Sequence, residues 1–336
     1  MTTRQPLATR LREAMDSKTK PVGALGRLES LGVQIGLLQQ TLTPNAERCE
    51  LLLFAADHGI AASGVSAYPP EVTRQMVANF LEGGAAASVM SQALDVTLKV
   101  IDAGVAGDAN DHPALLNRRV AAGTANAHCS PAMNGDQYET AWRHGTELGE
   151  IACSDVICLG EMGIGNTSSA ALIGHKITGI PLASLVGPGT GLDAVGVDRK
   201  LEVLSQAAAR TPTPLAPRDA MIEYGGFEIA MMAAAMTAAA RRHRLVLVDG
   251  FIATAAALHA TALAPEIAAA LVYAHRSAEP GHDHLLAHLE ATPLLDLRMR
   301  LGEGTGALLA WPIVKSAAAV LRDMASFAEA GVSGRT

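Results

Sequence analysis

The stretch Val156-Ile157-Cys158-Leu159-Gly160-Glu161-Met162-Gly163-Ile164-Gly165-Asn166 decides the fold. It begins with four apolar residues, continues with three glycines in a G-x-x-G-x-G spacing, and ends at the first of the small polar residues Asn166, Thr167 and Ser168. A short continuous apolar run is typical of a strand that is buried on both faces, and Asn, Thr and Ser are favoured N-caps of helices. The stretch therefore predicts a strand, a glycine-rich turn and a helix, which together form the repeating unit of a parallel α/β sheet.

Five further apolar runs end in Gly, Asp or His loops, and they span residues 51–56, 97–102, 182–186, 245–249 and 271–274. Helical patterns separate most of these runs. The sequence therefore predicts a Rossmann-like α/β fold, with a mostly parallel sheet of about six strands flanked by helices. Ligands of such sheets bind beyond the carboxyl ends of the strands, where helix N-termini point free amides inward, so the functional residues are expected in those loops.

Both ends of the chain carry helical patterns that lie outside the alternating strands and helices. Leu28, Leu31, Ile35 and Leu38 recur at three- and four-residue spacing, and a long helical pattern covers residues 304–328. We therefore expect a small helical domain, made of residues 1–45 and 291–336, beside a large α/β domain of residues 46–290 that holds the active site.

The composition excludes several classes of function. Of the 336 residues, 49% are apolar but only 3% are aromatic, which predicts a core of Ala, Val, Leu, Ile and Met. The net charge of -7 and the lack of a basic run argue against nucleic-acid binding. Apolar stretches such as 229–240 are too short and too rich in Ala to span a bilayer, which takes about 20 residues. Four cysteines without a C-x-x-C pair, and no secretory pattern at the N-terminus, indicate a reducing cytoplasm.

Two loops carry acidic groups with more than one interpretation. Asp57 and His58 follow the first apolar run, where they could serve acid–base or metal chemistry or could cap the following turn. No second His stands at helical spacing to complete a metal site, so no metal is expected. Asp249 ends the run 245–249 as a single acid, whereas the loop that grips phosphoribosyl pyrophosphate through Mg²⁺ has two acids.

Other loops favour recognition of an anion and of a flat ring. Glu161 lies among glycines and would repel a phosphate, so it is expected to meet a hydroxyl or a cation. The turn 187–193 leads into a helix that carries Lys200, which is either a surface lysine or a phosphate ligand. Met76 is either plain core or part of an apolar slot for a flat aromatic. Glu303, between Gly302 and Gly304, either charges the first turn of a helix or faces a ligand that the glycines admit.

In combination these motifs resemble the nicotinate-nucleotide–dimethylbenzimidazole phosphoribosyltransferase family. Seven motifs occur in order over nearly the whole chain, which is far more specific than any one of them. They lie at residues 20–29, 56–59, 160–168, 187–193, 223–226, 275–282 and 302–306.

The resemblance implies an enzyme that moves the 5-phosphoribosyl group of nicotinate mononucleotide onto a benzimidazole, without a metal or another cofactor and as a homodimer. It implies that Glu303 is the general base. It also implies that Glu161, Gly163, Lys200 and Ser277 contact the phosphate and the ribose. Tyr68 departs from the family pattern in the loop expected to border the base, and Met76, Gly302 and Gly304 complete the substrate-binding residues expected from the sequence. Two other interpretations stay open: a different phosphoribosyltransferase, such as one that uses phosphoribosyl pyrophosphate, and a nucleotide-binding module without turnover.

Overall fold

The structure is a computed structural model that describes residues 5–108, 110–189 and 191–333. Thr190, within the glycine-rich turn 187–193, lies outside the described residues, as do the ends of the small domain expected from the sequence. The strands are β1 Cys49–Ala56, β2 Thr97–Gly104, β3 Leu115–Asn117, β4 Val156–Met162, β5 Leu245–Val248 and β6 Leu271–Tyr273.

Helices fill the intervals between the strands and both ends of the chain. They are α1 Leu7–Asp16, α2 Arg27–Leu38, α3 Glu71–Leu81, α4 Ala86–Ala93, α5 Gly135–Ile151, α6 Asn166–Thr178, α7 Leu182–Leu185, α8 Ala194–Ala208, α9 Pro217–Tyr224, α10 Phe227–Arg241, α11 Phe251–Leu263, α12 Pro280–His288, α13 Thr305–Asp323 and α14 Phe327–Ala330. Short 3₁₀ helices cover Gly59–Ser63 and Pro265–Ala270. None of the helices in the described part of the chain is long and apolar enough to cross a membrane.

The strands form one parallel sheet in the order β3-β2-β1-β4-β5-β6. This order reverses direction between β1 and β4, and the crevice at such a reversal is where open α/β sheets bind ligands. The prediction of a Rossmann-like α/β fold with about six parallel strands is therefore confirmed.

One of the predicted strands is wrong and one strand was missed. Within the predicted strand 182–186, Leu182–Leu185 form the short helix α7, which follows Pro181 and buries Leu182 and Leu185 three residues apart. A five-residue apolar run has too few residues to distinguish a helical period from a buried strand. The sheet instead gains the edge strand β3, whose three residues lie in a polar segment.

The sheet separates two apolar cores. Successive side chains of β1 point to opposite faces, so that Leu52 and Phe54 enter one core while Leu51 and Leu53 enter the other. Helices α5, α6, α10 and α11 cover the first face. Helices α2, α3, α4 and α13 cover the second, where Trp311 of α13 is buried.

Close helix packing compensates for the small number of aromatic side chains. A Cβ atom on Gly145 or Gly149 of α5 would collide with the carbonyl oxygens of Met231 or Ala235 in α10. The two helices therefore lie nearly backbone to backbone. Residues 227–240 of α10 are all buried, and most of them are Ala or Met, as the composition predicts.

The helices at the two ends of the chain lie together. Leu11 and Met15 of α1 pack with Leu321 of α13, and α2 packs against both helices. Helix α13 also lies on the sheet. The division into a small helical domain and a large α/β domain stays a prediction.

Candidate active site

A cavity lies beyond the carboxyl ends of β4, β5 and β6. The turn that follows β4 forms one wall of this cavity, and the loops after β5 and β6 form another. Loop residues before α13 close the third side. Four of the residues predicted to bind substrate line it, namely Glu161, Gly163, Ser277 and Gly302. Residues from distant parts of the sequence therefore meet where the fold places a ligand site.

The loop that carries Glu303 is pressed against the end of β4. A Cβ atom on Gly160 would lie 2.6 Å from the Glu303 carbonyl carbon, and a Cβ atom on Gly302 would overlap the Glu161 carboxylate. Gly302, Glu303 and Gly304 have φ angles of 85°, 61° and 78°, a left-handed conformation in which glycine is favoured and a Glu is rare. The glycines thus bring Glu161 and Glu303 close together.

The Glu303 side chain is buried, with 5% of the residue exposed. Its Oε2 accepts a hydrogen bond from the Ala87 amide at 3.1 Å, at the start of α4. Burial raises the pKa of Glu303, the negative charge of Asp249 adds to this shift, and the Ala87 hydrogen bond opposes it. Glu303 and Gly304 are not among the residues that line the cavity; Glu303 follows Gly302, which does line it.

Asp249, at the end of β5, holds the segment that begins α13. Its Oδ2 accepts from the Gly304 amide at 3.2 Å and its Oδ1 accepts from the Ala307 amide at 3.0 Å. Those amides belong to the start of a helix, where N–H groups lack partners within the helix. Asp249 is therefore committed to fixing the Glu303 loop, and its carboxylate is not among the residues that line the cavity.

Glu161 is protonated near neutral pH. Burial raises its pKa to about 8, helped by the negative charges of Asp249 and Glu228. Asn166 donates a hydrogen bond to Glu161 Oε2 and opposes the shift. Asn166 was expected to cap α6, but the N-cap position is Gly165 and the Asn166 side chain serves Glu161 instead. A neutral Glu161 can donate its own proton to a ligand oxygen.

Lys200 of α8 is buried, with 1% exposed, so the interpretation as a surface lysine is wrong. Its ammonium donates to Thr167 Oγ1 at 2.9 Å and to the Gly187 carbonyl at 3.1 Å. An ammonium has three donors, and the described residues accept from two of them, so the third can bind a ligand. Burial lowers the pKa of Lys200 to about 8, and nearby Glu279 opposes the shift. Lys200 lies beside the cavity, in contact with the turn that starts at Gly187.

Two residues that the sequence did not single out also line the cavity. Arg300 donates to the Gly189 carbonyl at 2.7 Å. Glu279 projects into the cavity from the segment before α12. The only signal for Glu279 was the high density of polar residues in 275–282, and Arg300 gave no signal.

Other predicted residues lie elsewhere. Tyr68 is 51% exposed, and Met76 is partly buried against the second core; neither lines the cavity. Asp57 Oδ2 accepts from the Ala106 amide at 2.7 Å, so it holds a turn. His58 is buried, with its ring nitrogens bonded to Ser169 and Glu228. Within residues 5–108, 110–189 and 191–333, no group of three or more His, Cys, Asp or Glu is arranged to hold a metal ion.

A larger cavity, of about 730 Å³, lies among α1, α2 and residues near His243 and Ala269. These two residues precede β5 and β6, so the cavity is at the amino ends of the strands. Parallel sheets do not bind their ligands at that end. We therefore place the candidate active site at the smaller cavity, which has the convergent polar groups.

Glu161→Gln should flatten the pH dependence of stability. Between the ordinary pKa of Glu, about 4.3, and about 8, the unfolded chain has lost a proton that folded Glu161 keeps. This group therefore lowers the free energy of unfolding as pH rises through that window, by up to about 1.4 kcal/mol per pH unit. Urea denaturation at about pH 5.5, 6.5 and 7.5 measures the slope. Glu147→Gln, on the exposed side of α5, is the control; equal slopes in wild type and Glu161→Gln would contradict the assignment.

Comparison with known proteins identifies the family. A family model described as phosphoribosyltransferase matches residues 2–332. The nicotinate-nucleotide–dimethylbenzimidazole phosphoribosyltransferase of Ralstonia nicotianae is 54% identical over 336 residues, which cover 97% of this chain and 94% of the relative. The enzyme of the same name from Aromatoleum aromaticum is 50% identical over 332 residues, covering 98% and 96%.

A solved structure agrees with these relatives. The crystal structure of CobT from Thermus thermophilus matches with a TM-score of 0.95 and 42% identity, and the match covers 98% of this chain and 99% of that one. Sequence and structure are thus similar over nearly their full lengths. The chain belongs to the nicotinate-nucleotide–dimethylbenzimidazole phosphoribosyltransferase family.

Proposed function

We propose that this enzyme transfers the 5-phosphoribosyl group of nicotinate mononucleotide to 5,6-dimethylbenzimidazole or a related base. The products are α-ribazole 5′-phosphate and nicotinate, in the assembly of the nucleotide loop of cobalamin. The observation that carries the proposal is the buried carboxylate of Glu303, held by left-handed residues beside the cavity at the strand ends. The names and full-length similarity of the relatives support it.

The reaction needs one proton acceptor. A ring nitrogen of the benzimidazole forms a bond to the anomeric carbon of the donor, while the bond from that carbon to the pyridinium nitrogen breaks. The bonding electrons return to the pyridine ring, which leaves as neutral-ring nicotinate. The N–H proton of the attacking benzimidazole goes to Glu303, whose raised pKa suits a general base near neutral pH.

The remaining polar residues suit the phosphoribosyl group. Lys200 supplies a positive charge and a free donor for the phosphate. Gly163 presents its backbone to the cavity because it packs too closely on the Ala56 carbonyl for a side chain, and Ser277 supplies a hydroxyl in the same cavity. Glu161, protonated near neutral pH, donates to or accepts from a ribose hydroxyl. We assign phosphate and ribose binding to these four residues.

We assign the acceptor base to the side of the cavity near Glu303. Gly302 and Gly304 let the loop pack closely against Glu161 and Gly160, which fixes the position from which the Glu303 carboxylate would meet the base. Tyr68 and Met76 remain the proposed aromatic and apolar contacts of the base, outside the residues that line this cavity. Since Tyr68 is half exposed and Met76 is only partly buried, both have room to contact a ring.

A homodimer in the cytoplasm completes the proposal. The homodimer is what the family resemblance implies; the separate exposed side chains of Val22, Val195 and Leu301 do not need a partner to explain them. The Sγ atoms of Cys49 and Cys158 lie 3.4 Å apart as free thiols. A pair at this distance stays reduced where cytoplasmic thiol systems operate.

The alternative that uses phosphoribosyl pyrophosphate has less support. Asp249 is the only acid of its loop, and both of its oxygens accept amides of the Glu303 segment. It is therefore not available for a Mg²⁺-pyrophosphate complex. A binding module without turnover would give no role to a buried Glu303 of raised pKa.

A product assay tests the proposed function. The enzyme should convert nicotinate mononucleotide and dimethylbenzimidazole to nicotinate and a ribazole phosphate, and turnover should survive EDTA because no proposed step involves a metal. Chromatography with a panel of benzimidazoles and purines would identify the acceptor. Binding without nicotinate release would favour a binding module, and loss of activity with EDTA that Mg²⁺ or Zn²⁺ restores would contradict the mechanism.

Lys200→Ala should raise KM for nicotinate mononucleotide by about 10- to 100-fold and leave kcat nearly unchanged. This factor corresponds to the binding free energy of one hydrogen bond to a charged group. A phosphate far from the reacting carbon feels the same charge in the ground and transition states. Steady-state kinetics measure both constants. Arg199→Ala, on the exposed side of the same helix, is the control. A fall in kcat at unchanged KM would remove Lys200 from the phosphate site.

A further inference from the structure

The carboxyl group of Glu279 is buried and weakly hydrogen-bonded. Only 5% of the residue is exposed, and within the parts of the chain that the structure describes neither carboxylate oxygen has a partner in full hydrogen-bond geometry, with the Gly189 backbone amide as a weak contact. Glu279 precedes α12 at the N-cap position, yet its side chain does not cap that helix. An isolated buried acid is costly, so this group calls for a role that the fold does not supply.

Positive charges flank this acid. Lys200 of α8 and Arg300 before α13 lie near Glu279, but among the described residues neither forms an ion pair with it within 4 Å. Both cations bond instead to the turn 187–189, through the Gly187 and Gly189 carbonyls. Glu279 faces the same turn, since a Cβ atom on Gly187 would overlap its Oε2. An acid and two cations thus surround one short glycine turn.

Other titratable groups lie around Glu279. Glu161 of β4 and His275 after β6 line the same cavity. His282 of α12 is bonded at both ring nitrogens, by the Ser277 amide and by Thr254. Burial raises the pKa of Glu279, whereas Lys200, Arg300 and the nearby Gly189 backbone oppose the shift. Opposing effects thus act on the pKa of Glu279, and a change in the charge near the carboxyl group can change its protonation state.

The charge balance changes when a phosphate enters. A phosphate monoester has a second pKa of about 6 and is mostly a dianion at neutral pH, so Lys200 and Arg300 together balance it. An ionised Glu279 would then be a surplus negative charge in a desolvated site. A neutral carboxyl group, in contrast, donates an O–H to a phosphate oxygen.

We infer that Glu279 is a proton-linked phosphate ligand: it is the counterion of Lys200 and Arg300 in the free enzyme, and it takes up a proton and donates a hydrogen bond when the phosphoribosyl donor binds. The inference rests on the proposed donor, nicotinate mononucleotide. By linkage, affinity for the donor falls as pH rises between the pKa of Glu279 in the free enzyme and its pKa in the complex.

Isothermal titration calorimetry measures how many protons the enzyme takes up when the donor binds. Nicotinate mononucleotide is titrated into the full-length enzyme at about pH 7 in Pipes, Hepes and Tris, whose ionisation enthalpies differ. The slope of the observed enthalpy against the buffer enthalpy should show uptake of about 0.5 to 1 proton in the wild type. Glu279→Gln, which keeps the shape but cannot titrate, should show less uptake than the wild type, and Glu279→Asp should restore it. Uptake that is absent in the wild type, or unchanged in Glu279→Gln, would overturn the inference.

The Glu279→Gln variant also shows whether the proton is taken up by Glu279 or by Lys200. Phosphate binding also favours a protonated Lys200, whose pKa is about 8. Since Glu279 supports the charged form of Lys200, Glu279→Gln lowers the pKa of that lysine further. If Lys200 were the source of the signal, uptake would increase in the variant. A decrease assigns the proton to Glu279.

Two simpler probes keep the test independent of the variant and of the reaction. Ribose 5-phosphate should bind to the wild type with the same uptake, and nicotinate riboside, which lacks the phosphate, should bind with none. Equal uptake for both would make Glu279 a ribose ligand and reject the inference. If ribose 5-phosphate takes up the proton but nicotinate mononucleotide gives no turnover, the proposed function fails while the role of Glu279 stands.

Discussion

Replacement of Glu303 by Gln should lower kcat by about 10²- to 10⁴-fold, the usual cost of removing a general base. The amide of Gln keeps the size of the side chain and an oxygen that accepts from the Ala87 amide, so the loop should stay in place. It cannot take the proton of the attacking base. Affinity for nicotinate mononucleotide should change little, because Glu303 acts on the acceptor and not on the donor.

The pH profile checks the same assignment. The base acts in its ionised form, so the wild-type rate should fall as pH drops through the pKa of Glu303, which lies above the ordinary value for Glu. The variant should lose this acid limb. Measurements of kcat and of donor affinity over pH, in both proteins, separate chemistry from binding. Near-full activity with the limb intact would make another residue the base, with Glu161 and His58 as the first candidates.

Asp249→Ala should lower kcat by on the order of 10²-fold and destabilise the fold. The change removes the acceptor of the Gly304 and Ala307 amides, and each unpaired buried amide costs about 1–3 kcal/mol. The Glu303 loop then loses its support, and a displacement of about 1 Å is enough to cost about 10²-fold in rate. Kinetics and thermal unfolding of the same preparation measure the two effects.

Asp249→Asn is the matched control. It keeps one oxygen as an acceptor, so its loss of stability should be smaller than that of the Ala variant. Because the negative charge of Asp249 helps to raise the pKa of Glu303, the acid limb of the rate should move to lower pH in the Asn variant. Wild-type kcat in Asp249→Ala would show that the loop does not depend on Asp249.

Much of the fold could be predicted because buried parallel strands are long apolar runs. The runs that became β1, β2, β4, β5 and β6 were recognised in this way. The run 182–186 was assigned to a strand and contains a helix, because a short buried helix has the same composition as a short buried strand. Strand β3 was missed because an edge strand of three residues needs few apolar side chains. Both errors concern segments that tertiary contacts decide.

The candidate site was predictable where local chemistry is unusual. Glu303 among glycines is such a case, and so is Glu161 in its turn. The support that Asp249 gives to a segment more than 50 residues away in the chain left no local signal. The burial of Lys200 could not be predicted either, since neighbours such as Arg199 and Asp198 made its helix look solvated.

The packing of α13 also gives the protein an intrinsic fluorescence probe. The sequence has two tryptophans, and Trp311 lies in the second core, about two helical turns beyond the loop of Glu303. An indole in an apolar core emits at shorter wavelength than one in water. With Trp142 replaced by Phe, the fluorescence spectrum would report solely on Trp311. Displacement of α13 from the sheet, which would also release the proposed catalytic loop, would then be visible as a red shift without any added dye.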